Sequence, residues 1–369
     1  MPDASQNTDV NYIIQNDSTC SLSANDGAAP TVSVIIPIYN AESYLEGTLS
    51  SVLNQTLHDI EIVCVDDEST DSSSEIVERI SAVDERLVFV QHPVNKGAGA
   101  AINTGISKAS GRYIQIVGND DLLPPDSLKT LVDYCESNDL DLCLYGIEVF
   151  SDDPSDSSLQ QRLESQRQYH KVEYDYPICN GIELLKHMTR NNEYRMTNGP
   201  MIIRRDLLDA CSPCNLEGIR HEDLFFTYNV LLKAHRCTLI PDAHYLYRVR
   251  KGSQEDGKTK NPHDLNEFTS LLVSAYTMLS ITPDNLLVDD DFQDVLDKRV
   301  LTYITRCAKW YVSYSDEEKN RLKNSCNPII RYALPSMQLA ADYNASNSYK
   351  LGRALSAFPR FVKRLAKRS

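Results

Sequence analysis

The sequence has no apolar run long enough to span a bilayer and no excess of basic residues. Its 37 Lys and Arg stand against 52 Asp and Glu, which gives a formal net charge of −15. A chain this acidic repels phosphate backbones, so we do not expect a nucleic-acid partner. The opening residues, M-P-D-A-S-Q-N-T-D, are acidic and polar and do not resemble a secretory signal. We therefore expect a cytoplasmic protein.

A disulfide framework and a zinc site are not indicated either. The ten cysteines are scattered, and several lie inside apolar runs, as Cys64 and Cys143 do. This placement predicts buried free thiols in a reducing compartment. Cys211 and Cys214 form a CxxC, but no second pair follows at the spacing of a zinc site.

The 369 residues suit one large domain with an appendage. Residues 1–30 are rich in Ser, Asn, Asp and Ala without periodicity, which predicts a disordered lead. We expect the main domain over residues 31–255, with a polar loop or lid at 151–176. Apolar stripes at helical spacing then predict a helical C-terminal region over 256–369.

Short apolar runs rich in β-branched residues alternate with helical patterns along the first 150 residues. The predicted strands are 31–37, 60–67, 87–90, 112–117 and 140–147. This alternation predicts an α/β fold with a doubly wound, mostly parallel sheet. No G-x-G-x-x-G follows the first strand, so a dinucleotide-binding oxidoreductase is not indicated.

Polar and charged residues directly follow three of these strands. The first strand ends in P-I-Y-N (37–40), the second in V-D-D-E-S-T-D (65–71) and the fourth in G-N-D-D (118–121). In an open α/β sheet, ligands bind at the carboxyl ends of the strands. Each segment alone would be read as an ordinary loop or cap, but together they predict a binding crevice.

These segments resemble the family 2 glycosyltransferases with the nucleotide-sugar-binding GT-A fold. The matching stretches, in family order, are 32–40, 51–56, 65–71, 95–114 and 119–126, with looser matches in H-E-D-L-F-F (221–226) and Y-L-Y-R-V-R-K-G-S (245–253). The resemblance implies an inverting transferase that moves a sugar from a nucleotide-diphosphate donor to a hydroxyl of a growing glycan. Two alternatives stay open: a nucleotidyltransferase that makes sugar nucleotides, and a non-catalytic sugar-nucleotide-binding module.

The resemblance assigns the fourth-strand turn to a divalent metal, Mn²⁺ or Mg²⁺, held by Asp120 and Asp121. Carboxylate oxygens suit these ions, which bridge phosphate oxygens of the donor. Asp120 matches the principal metal-binding acid, whereas Asp121 would brace the turn or meet the donor sugar. Gly118 stands where the family's D-x-D-D pattern has its first acid, which puts the strength of metal binding in question.

The resemblance also implies the nucleotide site. Pro37, Tyr39 and Asn40 fall where the family frames the nucleobase, and a tyrosine ring offers a flat apolar face to a pyrimidine. Asp67 falls where a carboxylate meets the base, and because uracil N3–H is a donor, a UDP-sugar fits. The other implied contacts to the donor are Lys96, Asn119, Asp120, Arg248, Arg250 and Ser253.

An inverting transferase needs a base that deprotonates the acceptor hydroxyl. In H-E-D-L-F-F the resemblance implies Asp223 as this base and Glu222 as its support. The ordinary alternative is that both acids compensate the helix dipole. The last 20 residues hold seven Lys and Arg and no acid. With interleaved apolar residues, they predict that 350–369 lies on an anionic membrane surface, where a lipid-linked glycan acceptor would be met.

Overall fold

A computed structural model of the chain describes residues 29–153, 155–195, 197–251 and 263–341. Strands and helices alternate along its first part because short β-branched runs separate amphipathic segments. The elements of this part are β1 (Val32–Ile38), α1 (Leu45–Leu53), β2 (Ile60–Asp66), α2 (Ser73–Ser81), β3 (Leu87–Gln91), α3 (Ala98–Lys108), β4 (Tyr113–Ile116), α4 (Ser127–Asn138) and β5 (Leu142–Phe150).

The remaining part is mainly helical. Its elements are α5 (Ser157–His170), α6 (Gly181–Arg190), β6 (Met201–Arg204), α7 (Arg205–Ala210), α8 (Glu222–Lys233), β7 (Cys237–Arg248), α9 (Leu265–Ile281), a 3₁₀ turn (Leu286–Val288), α10 (Gln293–Leu296), a π-helical turn (Asp297–Leu301), α11 (Thr302–Ser313), α12 (Asp316–Lys323) and α13 (Pro328–Ala341). The predicted helical C-terminal region is therefore confirmed as far as residue 341.

The seven strands form one sheet in the order β3-β2-β1-β4-β6-β5-β7. All neighbours pair in parallel except β6, which runs antiparallel to both β4 and β5. The prediction of a doubly wound, mostly parallel sheet is confirmed. The five predicted strands correspond to β1–β5, and β6 and β7 complete the sheet from the region after residue 178.

Each face of the sheet has its own hydrophobic core. Val34, Ile36 and Cys64 pack with α1, α2 and α4 on one face. Ile35, next to Val34 in β1, and Val63, next to Cys64 in β2, pack on the other face of the sheet, because successive residues of a strand point to opposite sides. This second core is continuous through α6 and α8 into the C-terminal helices α9 and α11. The boundary between the main domain (31–255) and the C-terminal region (256–369) stays a prediction.

The prediction of a loop or lid over residues 151–176 is wrong for its middle part. The 14-residue helix α5 lies there. Its apolar side chains Leu159 and Leu163, four residues apart, are buried against Val149 and Val249. Two leucines on one face of a helical turn are enough to anchor a segment that is otherwise polar.

The described cysteines are all free, as predicted. Most are buried, whereas Cys179 is half-buried and Cys326 is exposed. Burial raises the pKa of Cys211 to about 12 and that of Cys214 to about 11, so the CxxC pair is held as unreactive thiols. No helix of the described ranges is long and apolar enough to cross a membrane. The predicted lead falls mainly on residues 1–28, and the basic tail on 350–369, both outside the described residues.

Candidate active site

Three neighbouring strands bring the predicted site residues to one edge of the sheet. Ile38 of β1 pairs in register with Asp66 of β2, and Ile35 of β1 with Ile116 of β4. Because these strands are parallel, the turns that follow them emerge side by side. The C-terminal end of β7 reaches the same edge through a bridge between Leu246 and Leu122.

The turns after β1 and β2 are tied to each other. Asn40 adopts a positive φ of 48°. Its backbone N–H donates to Ser69 Oγ at 3.0 Å, and its side-chain Oδ1 accepts a hydrogen bond from the Thr70 backbone N–H at 2.8 Å. Asn40 is thus a structural link between the two turns. Pro37 before it is half-buried, and the Tyr39 ring is 48% exposed. A ring exposed to this extent at the edge of a crevice is free to stack on a flat ligand.

Asp67 fixes the start of helix α3. Its carboxylate is 2% exposed and accepts from the backbone N–H groups of Lys96 at 2.9 Å and Gly97 at 2.7 Å. His92 Nδ1 lies 2.7 Å from the same carboxylate, and His92 Nε2 lies 2.9 Å from Thr104 Oγ1. Gly97 has a φ of 88°, a conformation that favours glycine. Asp67 therefore organises the loop whose exposed Lys96 side chain faces solvent.

The acidic turn after β4 is held by β7. Asp121 is 5% exposed, and its two oxygens accept from Tyr245 Oη at 2.7 Å and from the Arg248 amide at 2.9 Å. Burial and the neighbouring charge of Asp120 raise the pKa of Asp121 to about 7. The Gly118 amide donates to Tyr245 Oη at 2.9 Å. Asp121 is therefore hydrogen-bonded to β7 through both of its carboxylate oxygens, and its role at the donor stays a prediction.

Asp120 is directed away from this internal network towards two arginines. Its Oδ2 accepts from Arg250 Nε at 2.6 Å, and its carbonyl oxygen accepts from Arg248 Nε at 2.6 Å. The side chains of Asp120 and Arg250 are 21% and 20% exposed, so the pair is partly open to a ligand. The guanidinium carbons of Arg248 and Arg250 lie 5.2 and 4.7 Å from the centre of the Tyr44 ring.

The position of Gly118 limits which acids can hold a cation here. A Cβ at residue 118 would lie 2.6 Å from Asp121 Oδ2, so an acidic side chain would not fit without displacing Asp121. No group of three or more His, Cys, Asp and Glu residues within the described ranges is arranged to hold a metal ion. Asp120 is the carboxylate whose position suits a cation that takes its other ligands from water and from phosphate oxygens, as Mg²⁺ commonly does.

Glu222 and Asp223 begin helix α8, and the structure links Glu222 to the loop that Asp67 organises. A Cβ added to Gly99 of α3 would lie 3.2 Å from Glu222 Cβ and 2.5 Å from the Leu216 carbonyl oxygen. Gly99 thus allows α3 to pack closely against the start of α8. Burial raises the pKa of Glu222. Both acids lie in the first turn, where the helix dipole favours their ionised form.

The structure brings most of the predicted residues together in two adjoining groups. Pro37, Tyr39, Asn40, Asp67 and Lys96 form one, and Asn119, Asp120, Asp121, Arg248 and Arg250 form the other. Ser253 lies outside the described residues.

Sequence reasoning missed three residues of the site: Tyr245, Tyr44 and His92. Tyr245 stands within the quoted Y-L-Y-R-V-R stretch, so the resemblance already included its position. His92 and Tyr44 gave no signal of their own.

Comparison with known proteins identifies the family of this chain. The family model for glycosyl transferase family 2 matches residues 33–210. Glycosyltransferase GlyG of Streptococcus pneumoniae is 32% identical over 230 residues, which cover 60% of this chain and 72% of GlyG. The uncharacterized glycosyltransferase EpsJ of Bacillus subtilis is 33% identical over 225 residues, which cover 61% of this chain and 62% of EpsJ. The chain therefore spans less than two thirds of EpsJ.

A solved structure shares the fold. Residues 1–349 of S. aureus TarS, in complex with UDP, match with a TM-score of 0.59 at 20% identity, over 92% of this chain and 91% of that chain. At this identity the likeness concerns the fold. The match to the family model and the coverage of 72% of GlyG at 32% identity show that the chain belongs to glycosyl transferase family 2.

Proposed function

We propose that this glycosyltransferase transfers a sugar from a UDP-sugar to a hydroxyl of a growing glycan, with inversion at the anomeric carbon. The observation that supports it most directly is the common edge of β1, β2 and β4. There an exposed Tyr39 ring and the Asp120 carboxylate, flanked by Arg248 and Arg250, emerge from adjacent strand ends. TarS, which shares the fold, has been solved with UDP and with UDP-GlcNAc.

In this proposal the uracil stacks on Tyr39 beside Pro37, and the loop of Lys96 and Gly97 covers it. Asp67 positions that loop and stays a candidate for the contact to uracil N3–H. The nearness of Arg248 and Arg250 to Asp120 supports their role at the diphosphate, because guanidinium groups pair with phosphates in bidentate geometry. On donor binding, Arg250 would exchange the Asp120 carboxylate for a phosphate oxygen.

Asp120 is the residue that would hold a divalent cation, with Asn119 and Asp121 shaping the turn around it. A bound cation would stabilise the negative charge that develops on the leaving diphosphate. Asp121 is the weaker candidate for a ligand, since both of its oxygens already accept hydrogen bonds inside the turn.

The transfer step requires one proton to move. The acceptor oxygen attacks the anomeric carbon as the bond from that carbon to the diphosphate oxygen breaks, and the hydroxyl proton passes to a carboxylate. We assign this carboxylate to Asp223, with Glu222 supporting the acceptor. Their place at the start of α8, packed against the loop of α3, supports this assignment.

The decisive experiment is a panel of nucleotide sugars with Mn²⁺, read by released nucleotide. UDP-sugars are expected to turn over and GDP-sugars are not. Asp120→Asn should abolish turnover, whereas the control Asp133→Asn, an exposed acid on α4 that pairs with Lys129, should leave it unchanged. Asp223→Asn should lower transfer by a factor of about 10² to 10⁴ while UDP still binds. Tighter binding of GDP than of UDP would disprove the uridine assignment.

We also propose a cytoplasmic location at the inner face of the membrane and a glycan or lipid-linked glycan as acceptor. The basic and apolar residues of 350–369 support this placement, since such segments bind anionic lipid surfaces.

A further inference from the structure

The Tyr44 ring lies beside two arginines at the C-terminal end of β7. The guanidinium carbons of Arg248 and Arg250 lie 5.2 and 4.7 Å from the ring centre. Both distances are within about 6 Å, the range in which the face of an aromatic ring attracts a cation. Tyr44 itself is half-buried. Its ring is therefore a surface shared by two positive charges next to the acidic turn.

The backbone of Tyr44 is fixed relative to the acidic turn. Tyr44 directly precedes α1, and its carbonyl oxygen accepts a hydrogen bond from the Thr48 backbone N–H at 3.1 Å. Thr48 Oγ1 donates to the carbonyl oxygen of Asp121 at 2.9 Å. Further along α1, Ser51 Oγ accepts from the Leu123 backbone N–H at 3.2 Å. Because α1 is hydrogen-bonded to the acidic turn and to the residues after it, the start of α1 holds Tyr44 at a defined position beside that turn.

The Arg248 side chain is already held in place. Arg248 is 8% exposed, and its Nε donates to the Asp120 carbonyl oxygen at 2.6 Å. Its Nη1 forms an ion pair with the Asp152 carboxylate. Its guanidinium carbon also lies 4.7 Å from the centre of the Phe150 ring. With these partners, Arg248 is a fixed positive charge that forms one wall of the space around Asp120.

Arg250 has a fixed backbone but a more accessible side chain. Its carbonyl oxygen accepts a hydrogen bond from Arg162 Nη1 of α5 at 3.1 Å. Its side chain is 20% exposed and pairs with the Asp120 carboxylate through Nε. Its Nη1 reaches the Lys251 carbonyl oxygen at 3.5 Å, which is near the outer limit of a hydrogen bond. The side chain is therefore the part of Arg250 that a ligand can move.

A long side chain binds a ligand more tightly when its conformations are already restricted. Ordering a side chain with many rotamers at a binding site lowers the affinity, and a side chain that is held in place beforehand avoids this cost. The Tyr44 ring, at 4.7 Å, gives the Arg250 guanidinium such a support beside Asp120.

We propose that Tyr44 is a positioning residue for the sugar-nucleotide donor and that it acts through Arg250. The ring holds the guanidinium group beside the acidic turn, so that the group passes from the Asp120 carboxylate to a phosphate oxygen of the donor while it stays on the ring. Tyr44 acts with its aromatic face and not with its hydroxyl, and it contacts neither the donor nor the reacting atoms. The inference rests on the proposed function, in which Arg250 pairs with the diphosphate.

Calorimetry with UDP and with uridine tests this role, because uridine lacks the phosphates that Arg250 would bind. Tyr44→Leu should weaken UDP binding about threefold to thirtyfold, the loss expected when the cation–π contact of a partly buried arginine is removed. Tyr44→Phe keeps the ring and should bind UDP as wild type does. Uridine should bind equally to wild type and to both variants. The control Tyr174→Leu, at an exposed tyrosine between α5 and α6, should leave both affinities unchanged.

A double variant separates action through Arg250 from a direct contact between Tyr44 and the donor. Arg250→Gln alone should weaken UDP binding, and adding Tyr44→Leu to it should cause no further loss. Equal losses from Tyr44→Leu in the two backgrounds would overturn the inference. A loss of uridine binding as large as that of UDP binding, or a loss in Tyr44→Phe as large as in Tyr44→Leu, would also overturn it. Tyr44→Met repeats the test with an unbranched side chain, in case leucine disturbs the start of α1.

The same measurements separate this inference from the proposed function. Tighter binding of GDP than of UDP would disprove the uridine assignment, and the comparison is then made between GDP and guanosine. A loss in Tyr44→Leu that is confined to the diphosphate would still support the positioning role. Unchanged binding of the diphosphate in Tyr44→Leu would overturn that role even if UDP-sugars turn over.

Discussion

At the scale of single residues, Gly118 shows why one position of the acidic turn cannot carry a side chain. The space a Cβ would take is filled by the carboxylate of Asp121, which Tyr245 and Arg248 hold in place. The absence of an acid at position 118 and the inward orientation of Asp121 therefore have one cause, because both side chains would need the same space. The sequence revealed the glycine but could not reveal that the neighbouring acid fills its place.

Gly118→Ala should destabilise the fold by about 1–3 kcal/mol, because the added methyl overpacks a fixed carboxylate. Chemical denaturation measures the loss. Gly47→Ala is the control, since Gly47 lies inside α1 and its nearest contact would be Leu122 Cδ2 at 4.0 Å. Gly47→Ala should stabilise the fold by about 0.5–1 kcal/mol, because alanine loses less conformational entropy than glycine inside a helix. A neutral Gly118→Ala would show that the Asp121 side chain moves freely.

His92 is expected to support UDP binding indirectly, through its hydrogen bond to Asp67. A carboxylate only accepts hydrogen bonds, so His92 Nδ1 carries the proton and Nε2 accepts from Thr104 when the ring is neutral. His92→Leu removes the donor and should weaken UDP binding about tenfold, because the loop of Lys96 and Gly97 loses its support. His92→Asn retains a donor near the Nδ1 position and should keep most of the affinity. Calorimetry with UDP measures both, and equal losses in the two variants would contradict the positioning role.

At the scale of elements, the sequence predicted those that follow simple periodicity and missed those that depend on partners. β1–β5 were predicted because each is a β-branched run next to an amphipathic helix. β6 has only four residues, and its place between β4 and β5 follows from pairing that no local pattern encodes. Helix α5 has no clear sequence signal because its apolar side, Leu159 and Leu163, is small among many polar residues.

One strand junction on the opposite edge of the sheet depends on a single acid, Glu61 of β2. Burial alone would raise the pKa of Glu61, but hydrogen bonds from Ser33, Ser110 and Gly111 outweigh it and hold the pKa below its usual value. Ser33 Oγ donates at 2.5 Å and the Gly111 amide at 3.1 Å. The acid thereby connects β1, β2 and the turn before β4.

Glu61→Gln should cost about 1–3 kcal/mol of unfolding free energy at neutral pH, since charged hydrogen bonds are weakened. Because the folded-state pKa is lowered, this contribution is present above the unfolded pKa of about 4.3 and lost as pH falls through the folded value. The difference in unfolding free energy between wild type and Glu61→Gln should therefore become smaller below about pH 4. A gap that stays constant from pH 7 to pH 3 would argue against an ionised Glu61.

At the scale of the whole molecule, the C-terminal helices share a core with the sheet. Phe268 and Leu272 of α9 belong to the same buried cluster as Leu224 of α8 and Ile35 of β1. We therefore expect the described part to unfold as one cooperative unit. The single tryptophan, Trp310 on α11, is partly buried against this cluster and reports on the helices alone.

Denaturation followed by Trp310 fluorescence and by far-ultraviolet circular dichroism should give coincident transitions. Leu272→Ala, at a fully buried site, should lower the free energy of unfolding measured by either method by about 2–5 kcal/mol. A fluorescence transition that precedes the dichroism transition would show that the C-terminal helices unfold separately.

Deleting residues 350–369 should abolish co-sedimentation with anionic vesicles at low salt and spare donor hydrolysis in solution. Neutral vesicles are the control. Full-length protein that fails to sediment at low salt would exclude the membrane interpretation of the tail.

The antiparallel insertion of β6 also sets an order of events during synthesis. Strands β4 and β5 are made by residue 150, yet they flank a gap that only Met201–Arg204 can close. Until then, the growing chain exposes unpaired edges on both strands, the kind of edge that invites aggregation. A nascent chain halted before residue 201 is thus expected to need chaperone protection, although the turns after β1 and β2 have already left the ribosome.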